Sequence, residues 1–384
     1  MNASTTTVQR LMLEFAALTG LEPAGEVRRY LWTDAFAVCN FLELFRVTAN
    51  PFFLEEALRL VDQVHQTLGR HRDDDTRTGW ISGLKDEEAE RHPTRGGLRI
   101  GKELSERRGD ERPDERKEWD RDGQYYHYLT KWMHALRRVA AATGDERYTR
   151  WGVELAETVH ARFCYDPEWG GARRIYWKMS IDLSRPLVPS MGMHDPLDGL
   201  VSYCELQEAA RSYGLDLLKP EAAELVAICR GQRWETDDPL GIGGLLWDAG
   251  RIIQLMIKGA FPEPGFLDRV LQAAIAGLEM FEEAGMLRHP AVFRLPFREL
   301  GLGIGLKGLP ALLDRTAEHP DLFDRNGLVA ARLNALLGFL PMAERIDDFW
   351  MDGTNSRART WSDHREINMV MLATSLAPET FLLV

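Results

Sequence analysis

The stretch TANPFFLEEALRLVDQVHQTL (residues 48–68) has a counterpart in TGDERYTRWGVELAETVHARF (residues 143–163). The two segments align at a constant offset of 95 residues (143 minus 48), which places His65 on His160. In both segments, apolar residues recur at the three- and four-residue spacing of an amphipathic helix. The repeat therefore predicts the same helix, used at least twice in one chain.

Each copy begins at a predicted helix cap and follows another long helix after a short turn. Asn50 and Asp145 lie at equivalent N-cap positions, where a short side-chain acceptor satisfies free backbone N–H groups. The unit of the repeat is therefore a helical hairpin. The same pattern predicts about twelve helices, at 4–18, 28–49, 51–70, 120–143, 145–165, 196–213, 219–232, 240–259, 264–284, 301–316, 325–340 and 362–376.

Twelve helices in alternating hairpins predict an all-α, closed ring of six pairs, with an inner barrel and an outer layer. No linker rich in Pro, Gly and Ser divides the sequence, so we expect one domain over residues 1–384. Three connections are long, at 71–118, 166–194 and 341–361. Connections of this length in a compact domain are usually functional or disordered. The mixed-sign run 85–118 is expected to be a solvated insertion or partly disordered.

The starts of the six predicted inner helices carry most of the residues suited to chemistry. These starts read YLWTDAF, EWDRDGQYYHY, MHDPLDG, DDPLGIGGLLWDAGR, FRELGLGIG and TWSDHREIN. If the inner helices run parallel, their N-termini converge on one opening, which we call the mouth. Unpaired N–H groups and the positive ends of the helix dipoles there favour carboxylates and other acceptors.

Composition excludes several classes of protein. The net charge of −12 (47 minus 59) argues against a nucleic-acid partner, because phosphate binding needs a basic surface. The four cysteines have no CxxC spacing, so neither a disulfide framework nor a zinc site is predicted. No secretory leader and no run of eighteen apolar residues is visible, so we expect a cytoplasmic protein without a membrane span. No cofactor is predicted, and the sequence does not indicate an oligomeric state.

The hairpin ring with an acidic and aromatic mouth resembles the six-hairpin glycosidase superfamily, the (α/α)6 toroids. That group includes unsaturated glucuronyl hydrolases, glucoamylase-like enzymes and relatives of N-acylglucosamine 2-epimerase. The resemblance covers essentially the whole chain in helix count and pairing. It implies an (α/α)6 toroid that acts on a small sugar or an oligosaccharide. No catalytic motif matches position by position, so no catalytic residue is carried over.

Cleavage of a glycosidic bond normally uses two carboxyl groups, a proton donor and a base or nucleophile. We predict Asp122 as the acid, with Asp195 or Asp34 as the second carboxylate. Either Asp120 or Asp122 is expected to cap the helix over 120–143, which leaves the other free. Asp195 equally suits an N-cap before a proline, and Asp34 equally suits a buried structural hydrogen bond.

Sugar sites also use aromatic faces and polar groups that hold hydroxyls. Tyr125 and Trp132 lie on the same face of the predicted helix, and this face is predicted to pack in the core. Tyr126 and His127 lie on another face and are predicted to face the mouth. Asp248 and Arg251 are three residues apart and equally suit a pair with each other. The predicted substrate-binding residues are Trp32, Trp119, Tyr126, His127, Asp198, Trp247, Asp248, Arg251, Trp361, Arg365 and Glu366.

Two other functions remain open at this stage. His194 and His364 stand at predicted helix starts and suit proton transfer near neutral pH, as in a sugar 2-epimerase or isomerase. No second histidine lies at ligand spacing from His194, so no metal site is predicted. A helical repeat can also be a scaffold that binds a peptide or partner protein. The glycine-rich stretch 301–310 lacks the spacing of a phosphate loop and predicts close helix packing instead.

Overall fold

Nearly all long elements of the chain are α-helices. The computed structural model describes residues 3–22, 25–168, 170–323 and 327–384. The helices are α1 (Ala3–Leu18), α2 (Leu31–Thr48), α3 (Pro51–Leu68), α4 (Asp86–Arg91), α5 (Glu115–Glu118), α6 (Tyr126–Thr143), α7 (Glu146–Phe163), α8 (Asp195–Arg211), α9 (Lys219–Arg230), α10 (Pro239–Ile257), α11 (Gly265–Ala284), α12 (Pro296–Glu318), α13 (Pro320–Phe323), α14 (Leu328–Leu337), α15 (Leu340–Met351), α16 (Arg359–Ser362), α17 (Arg365–Leu376) and α18 (Glu379–Leu382). The strands are β1 (Gln124–Tyr125), β2 (Cys164–Tyr165), β3 (Arg174–Ile175), β4 (Lys178–Met179) and β5 (Pro186–Val188).

The repeat in the sequence is a repeat in the structure. Helices α3 and α7 begin at Pro51 and Glu146, and α2 and α6 begin at Leu31 and Tyr126, so both members of the hairpin recur after 95 residues (146 minus 51; 126 minus 31). The turn residue is in the left-handed region in both copies, as Ala49 (φ 54°) and as Gly144, which tolerates this conformation better. The hairpin prediction is confirmed.

The structure divides into two compact units that share the chain. Unit 1 comprises Met1–Leu18, Cys39–Pro51 and Gln232–Val384, and unit 2 comprises Thr19–Val38 and Phe52–Gly231. In unit 2, α6 packs against α7 and α8, and α8 packs against α9. In unit 1, α10 packs against α11 and α12, α12 also contacts α14, α15 and α17, and α1 lies against α17.

Glycines bring α10 and α12 into backbone contact in unit 1. A Cβ added to Gly243 would lie 2.3 Å from the carbonyl oxygen of Gly301. A Cβ on Gly305 would lie 2.8 Å from the Cβ of Leu246. Any larger residue at these positions would separate the helices. The prediction that the glycine-rich stretch serves close helix packing is therefore confirmed.

Helix α10 is also long and apolar enough to cross a membrane by length and composition alone. However, 72% of its most apolar window is buried inside the protein, and the core helix of a protein that never meets a membrane passes the same test. Asp248 and Arg251 interrupt its apolar run. The absence of a membrane span stays a prediction.

Small sheets organise the connection that precedes α8. Strand β1 pairs antiparallel with β4, β4 pairs with β5, and β2 pairs with β3. The first of these sheets ties the middle of residues 166–194 to the two residues directly before α6. Gly123 allows this approach, since a Cβ there would lie 2.7 Å from the carbonyl oxygen of Met179.

The structure corrects several predicted boundaries. The helix expected from residue 120 begins at Tyr126, and its N-cap residue, Tyr125, makes no side-chain cap hydrogen bond, so neither Asp120 nor Asp122 caps it. Residues 341–361 are not a long loop, because α15 fills their first half. Residues 325–326 of one predicted helix and residue 169 of a predicted loop lie outside the described residues.

The charged connection 71–118 is held together by its own ion pairs. Within it, Arg77 contacts the carboxylates of Asp75 and Glu106, and Arg107 contacts Glu118; Arg77 also contacts Asp182 in the connection 166–194. The run is therefore a cross-linked segment of unit 2. Opposite charges that looked like a solvated surface in the sequence are partners in the structure.

Candidate active site

The starts of three predicted inner helices meet in unit 2. The hydroxyl of Tyr30, directly before α2, lies 2.6 Å from the hydroxyl of Tyr128 in the first turn of α6. Nδ1 of His127, in the same turn, lies 3.9 Å from Oδ1 of Asp195, the first residue of α8. Trp32 in α2 contacts Tyr128 with ring centroids 6.3 Å apart. Neighbouring helix starts therefore supply one group of aromatic and titratable side chains.

An aromatic cluster surrounds His127. We use the name aromatic cluster for Tyr30, Tyr125, His127, Tyr128 and Trp177. The rings of His127 and Trp177 are stacked, with centroids 6.1 Å apart and an interplanar angle of 14°. Tyr125 contacts both His127 (5.4 Å) and Trp177 (5.3 Å). The His127 side chain stays 30% exposed, so the cluster borders solvent at this residue.

The position of Trp177 follows from the small sheet. The carbonyl of Trp177 accepts a hydrogen bond from the N–H of Tyr126 at 3.2 Å. The buried Nζ of Lys178 donates to the carbonyls of Glu118 (2.6 Å) and Arg121 (2.8 Å). These bonds anchor the segment that carries Trp119, whose ring meets Trp177 edge to face at 4.9 Å. Trp119 is half exposed at the edge of the aromatic cluster, and its role as a binding residue stays a prediction.

The carboxyl group of Asp195, beside the aromatic cluster, is buried and has a raised pKa. Asp195 is only 6% exposed. Its carboxyl group lies so close to Gly192 that a Cβ added to this glycine would be 2.5 Å from Cγ of Asp195. Its Oδ2 accepts no hydrogen bond from any described residue. Burial, followed by the negative charge of Asp198, raises the pKa of Asp195 from its ordinary 3.8 to about 7, although Lys131 opposes the shift. At neutral pH this group is therefore protonated in a large part of the molecules.

The neighbouring carboxylate, Asp198, has a different environment. The hydroxyl of Thr130 donates to its Oδ2, and the ammonium group of Lys131 lies against its Oδ1. The two carboxyl groups, three residues apart in the chain, therefore have different surroundings. Asp198 contacts a cation and a hydroxyl donor, whereas one oxygen of Asp195 has no donor among the described residues.

His194 is the N-cap residue of α8. Its carbonyl accepts the N–H of Asp198 at 3.0 Å, and no cap hydrogen bond comes from its side chain. The interpretation of Asp195 as the N-cap is therefore wrong by one residue. His194 stands directly beside Asp195 in the chain, so its role as a supporting residue stays a prediction.

Asp122, the predicted acid, is placed where it cannot face a cavity. It is fully buried, and its Oδ2 lies 2.9 Å from Arg99 and 3.3 Å from Arg72. Its Oδ1 accepts the N–H groups of Gly101 (3.0 Å) and Gly123 (3.1 Å). Because two guanidinium groups and two amides surround this buried carboxylate, its role in the structure is to organise the local backbone. The prediction of an open position for Asp122 is wrong.

Asp34 and Tyr126 also occupy structural positions. Asp34 accepts the N–H of Tyr30 at 2.9 Å and pairs with Arg29 at 3.4 Å, while burial raises its pKa to about 6. Of its two predicted roles, the buried hydrogen bond is the one observed. Tyr126 is fully buried against Gly199, so its predicted exposure at the mouth is wrong. It packs α6 against α8 because only glycine leaves room for its ring.

The remaining predicted site residues lie in unit 1. Asp248 and Arg251 are buried and pair at 2.6 Å, which is the alternative that their spacing favoured. Trp247 is buried against Phe381, with ring centroids 5.2 Å apart. The prediction that these three residues line an open mouth is wrong, because their side chains are enclosed.

Helix starts also meet within unit 1. Asp238, the N-cap of α10, pairs with Arg298 in α12 at 2.7 Å. Phe297 contacts His364, the exposed N-cap residue of α17, at 6.1 Å. Arg365 pairs with Glu14 of α1. The predicted neighbours Trp361 and Glu366 are buried and half-buried.

No metal centre is evident in the part of the chain that the structure describes. Among these residues, no group of three or more His, Cys, Asp or Glu side chains converges to hold an ion. The contact between His127 and Asp195 is suited to proton transfer between side chains, next to an aromatic surface.

The chain has an (α/α)6 toroid fold. Among solved structures, it is similar to an inactive variant of the α-1,6-mannanase GH76A of Salegentibacter sp. HEL1_6 in complex with α-1,6-mannotriose. The identity is 12%, the TM-score is 0.55, and 98% of this chain and 99% of that chain are covered.

A sugar epimerase from a ruminal bacterium is also similar, with 8% identity, a TM-score of 0.50, and 97% of this chain and 98% of that chain covered. No protein-family model and no curated protein matches the chain. At such low identity the likeness shows the fold alone, so the fold predicted from the helix pattern is confirmed.

Proposed function

We propose that this protein is a carbohydrate-active enzyme, a glycoside hydrolase that uses Asp195 as its general acid. The single observation that carries the proposal is the raised pKa of Asp195 beside the partly exposed His127. A carboxylic acid that remains protonated near neutral pH can donate a proton to a leaving oxygen. Asp198, held by Lys131, supplies the neighbouring charge that keeps that proton in place.

In the proposed reaction, a sugar ring packs on the aromatic cluster, and Asp195 protonates the glycosidic oxygen as the bond to the anomeric carbon breaks. Water adds its oxygen to the anomeric carbon, one of its hydrogens stays on the new hydroxyl group, and its other proton replaces the one that Asp195 lost. His127 borders both Asp195 and solvent and provides a route for this exchange. The hydroxyls of Tyr30 and Tyr128 suit hydrogen bonds to sugar hydroxyls.

The structural relatives support the carbohydrate class. One of them is a mannanase that holds a trisaccharide, and another is a sugar epimerase, on the same fold. Fold alone does not carry function. The proposal therefore depends on the side chains of unit 2, and the relatives supply the first substrates to test.

Sugar epimerisation or isomerisation is the second candidate. It is favoured by the contact of an imidazole with a carboxyl group of raised pKa, because two such groups can move a proton on and off a carbon beside a carbonyl. In this version His127 joins His194 and Asp195 as a candidate acid or base. The pairing of His194 with His364 stays a prediction.

Product analysis tests the proposal and separates the two candidates. The protein would be incubated with α-1,6-mannotriose, cellobiose and mannose, and the products separated by chromatography. Hydrolysis yields shorter sugars, whereas epimerisation yields an isomer of unchanged mass. If every sugar remains unchanged and none raises the melting temperature, the enzyme proposal is wrong, and the scaffold hypothesis takes its place.

The pH dependence of turnover is expected to follow Asp195. The acid must carry its proton in the free enzyme, and its pKa is raised to about 7. We expect kcat/KM to fall about tenfold per pH unit above pH 7, as a single group ionises. Initial rates between pH 5 and pH 9 measure this profile. A rate that stays constant up to pH 9 would exclude Asp195 as the acid.

Trp177→Ala is expected to weaken substrate binding. The change removes the ring that stacks on His127, and an aromatic platform contributes about 1 kcal/mol or more to packing against a ring. We expect KM for the best substrate to rise roughly tenfold, with a smaller change in kcat. Trp177→Phe should restore much of the loss.

Tyr176→Ala is the matched control for Trp177→Ala, because the neighbouring Tyr176 stacks on Tyr165 and not on the cluster. An equal rise of KM in Tyr176→Ala would mean that the effect comes from disruption of the loop.

A further inference from the structure

Unit 1 contains a cleft that the proposed reaction does not use. It has a volume of about 590 Å³ and lies between α1, the end of α15, and the segment that leads into α17. Sites for small molecules commonly measure roughly 300–1,000 Å³. The cleft is therefore large enough for a mono- or disaccharide.

Positive charge dominates the cleft. Three arginines line it, Arg10, Arg357 and Arg365, against one carboxylate, Glu14. Glu14 pairs with both Arg10 (3.5 Å) and Arg365. In a protein with a net charge of −12, such an excess of guanidinium groups is a local exception.

Arg357 is the cation most available to a ligand. Its Nε donates to the carbonyl of Gly353 at 2.9 Å, which orients the guanidinium group. Among the described residues, its two terminal nitrogens form no hydrogen bond or ion pair. A guanidinium group held by one edge and open at the other suits a bidentate contact with a carboxylate or phosphate.

The apolar part of the cleft is rigidly built. Trp350 and Trp361 both line it and are stacked, with centroids 5.9 Å apart and an interplanar angle of 26°. Nε1 of Trp350 donates to Glu299 at 2.8 Å, and Arg294 holds Glu299 through contacts of 2.7–3.1 Å. A preformed apolar wall reduces the entropy lost when a ligand binds.

We propose that this cleft is a second binding site and that its ligand is an anionic saccharide, a sugar that bears a carboxylate or a phosphate group. The anionic group contacts Arg357 and the neighbouring Arg365, and the sugar ring packs against Trp361, which the buried Trp350 supports from behind. The inference that the ligand is anionic rests on the arginines alone, whereas the inference that it is a sugar rests on the function proposed above.

Calorimetric titration of the full chain tests the site. The probes are glucuronate, glucose 6-phosphate, neutral glucose and inorganic phosphate. We expect one of the two anionic sugars to bind more tightly than both glucose and phosphate, and which of the two binds identifies the anionic group. Arg357→Gln should weaken that binding about tenfold to a hundredfold, because it removes one charge-assisted contact.

Arg359→Gln is the matched control, because Arg359 is equally cationic, 87% exposed, outside the lining of the cleft, and paired with Asp363. This variant should bind like the wild type. Equal weakening in both variants would mean that net charge, and not the cleft, binds the anion. Failure of both anionic sugars to bind, or equally tight binding of glucose or phosphate, would overturn the proposal.

Titration of Asp195→Asn separates this inference from the proposed reaction. We expect this variant to bind the anionic sugar normally and Arg357→Gln to retain turnover of neutral substrates. Normal binding to a protein without any turnover would leave the cleft proposal intact while the proposed reaction fails. Loss of anionic-sugar binding in a folded Asp195→Asn variant would contradict a separate site.

Discussion

Asp195→Asn is expected to lower turnover by a factor of about 10² to 10⁴, the usual contribution of a general acid. The same change is expected to stabilise the folded protein above neutral pH. Asn has nearly the same shape and fills the same space over Gly192, so packing is retained. What disappears is the charge that a buried Asp195 must carry once its proton has left.

The direction follows from the protons bound in each state. The folded protein keeps the proton on Asp195 up to about pH 7, whereas the unfolded chain releases it near the ordinary value of 3.8. The stability due to this group is therefore present below pH 3.8 and is lost as the pH rises through about 7. Between pH 5 and pH 8 the difference in unfolding free energy between the variant and the wild type should widen by about 3 kcal/mol. The change accumulates over the two pH units up to about pH 7, at roughly 1.4 kcal/mol per unit, and then levels off.

Urea unfolding of both proteins at pH 5 and pH 8 measures this gap. The difference between the two proteins is the informative quantity, because Asp34, whose pKa is also raised, titrates equally in both. Asp216→Asn is the control, since its carboxylate is exposed and pairs with Lys219 on the surface. An unchanged gap at the two pH values would show that Asp195 is ionised throughout, and the proposed acid would be lost.

Asp122→Asn is expected to have the opposite effect and to destabilise the protein strongly. Removal of its charge leaves Arg99 and Arg72 without their shared carboxylate, and these side chains are only 12% and 14% exposed. Breaking a buried ion pair on one side typically costs about 3–5 kcal/mol. The bonds from Gly101 and Gly123 that shape the start of β1 weaken at the same time.

Asp74→Asn is the matched control for Asp122→Asn, because Asp74 pairs with the same Arg72 but is 52% exposed. Exposed pairs contribute about 0–1 kcal/mol, so this variant should unfold almost like the wild type. Unfolding curves in urea for the two variants give the comparison. A stable Asp122→Asn protein without turnover would instead restore Asp122 as the predicted acid.

Most of the fold could be predicted from local patterns. The offset of 95 residues, read from matches such as His65 and His160, is the offset between the observed helix starts. Helical periodicity and turn residues are properties of neighbouring positions, so they can be recognised without knowing which distant residues a helix contacts. The exception is α15, whose residues we assigned to a loop because charges and an aromatic pair obscured its periodicity.

The candidate site was predicted less well, because it depends on distances across the fold. The sequence predicts Asp122 as the acid and Asp195 as a candidate for the second carboxylate, both beside predicted helix starts. In the structure, one accepts from two guanidinium groups, and the other lies against Gly192 with an oxygen that no described donor reaches. Trp177 was missed because it belongs to an irregular connection, where only its aromatic character could have drawn attention.

The sequence by itself determined the helices, the repeated hairpin and the close packing at the glycine-rich stretch 301–310, because periodicity, caps and glycines act over a few residues. Only the tertiary structure decided which acid keeps its proton, which aspartate cross-links the backbone, and which arginine remains open in a cleft. A pKa and an ion pair depend on burial and on charges brought together from distant positions, as Lys131 and Asp198 are. That information arises when the chain folds.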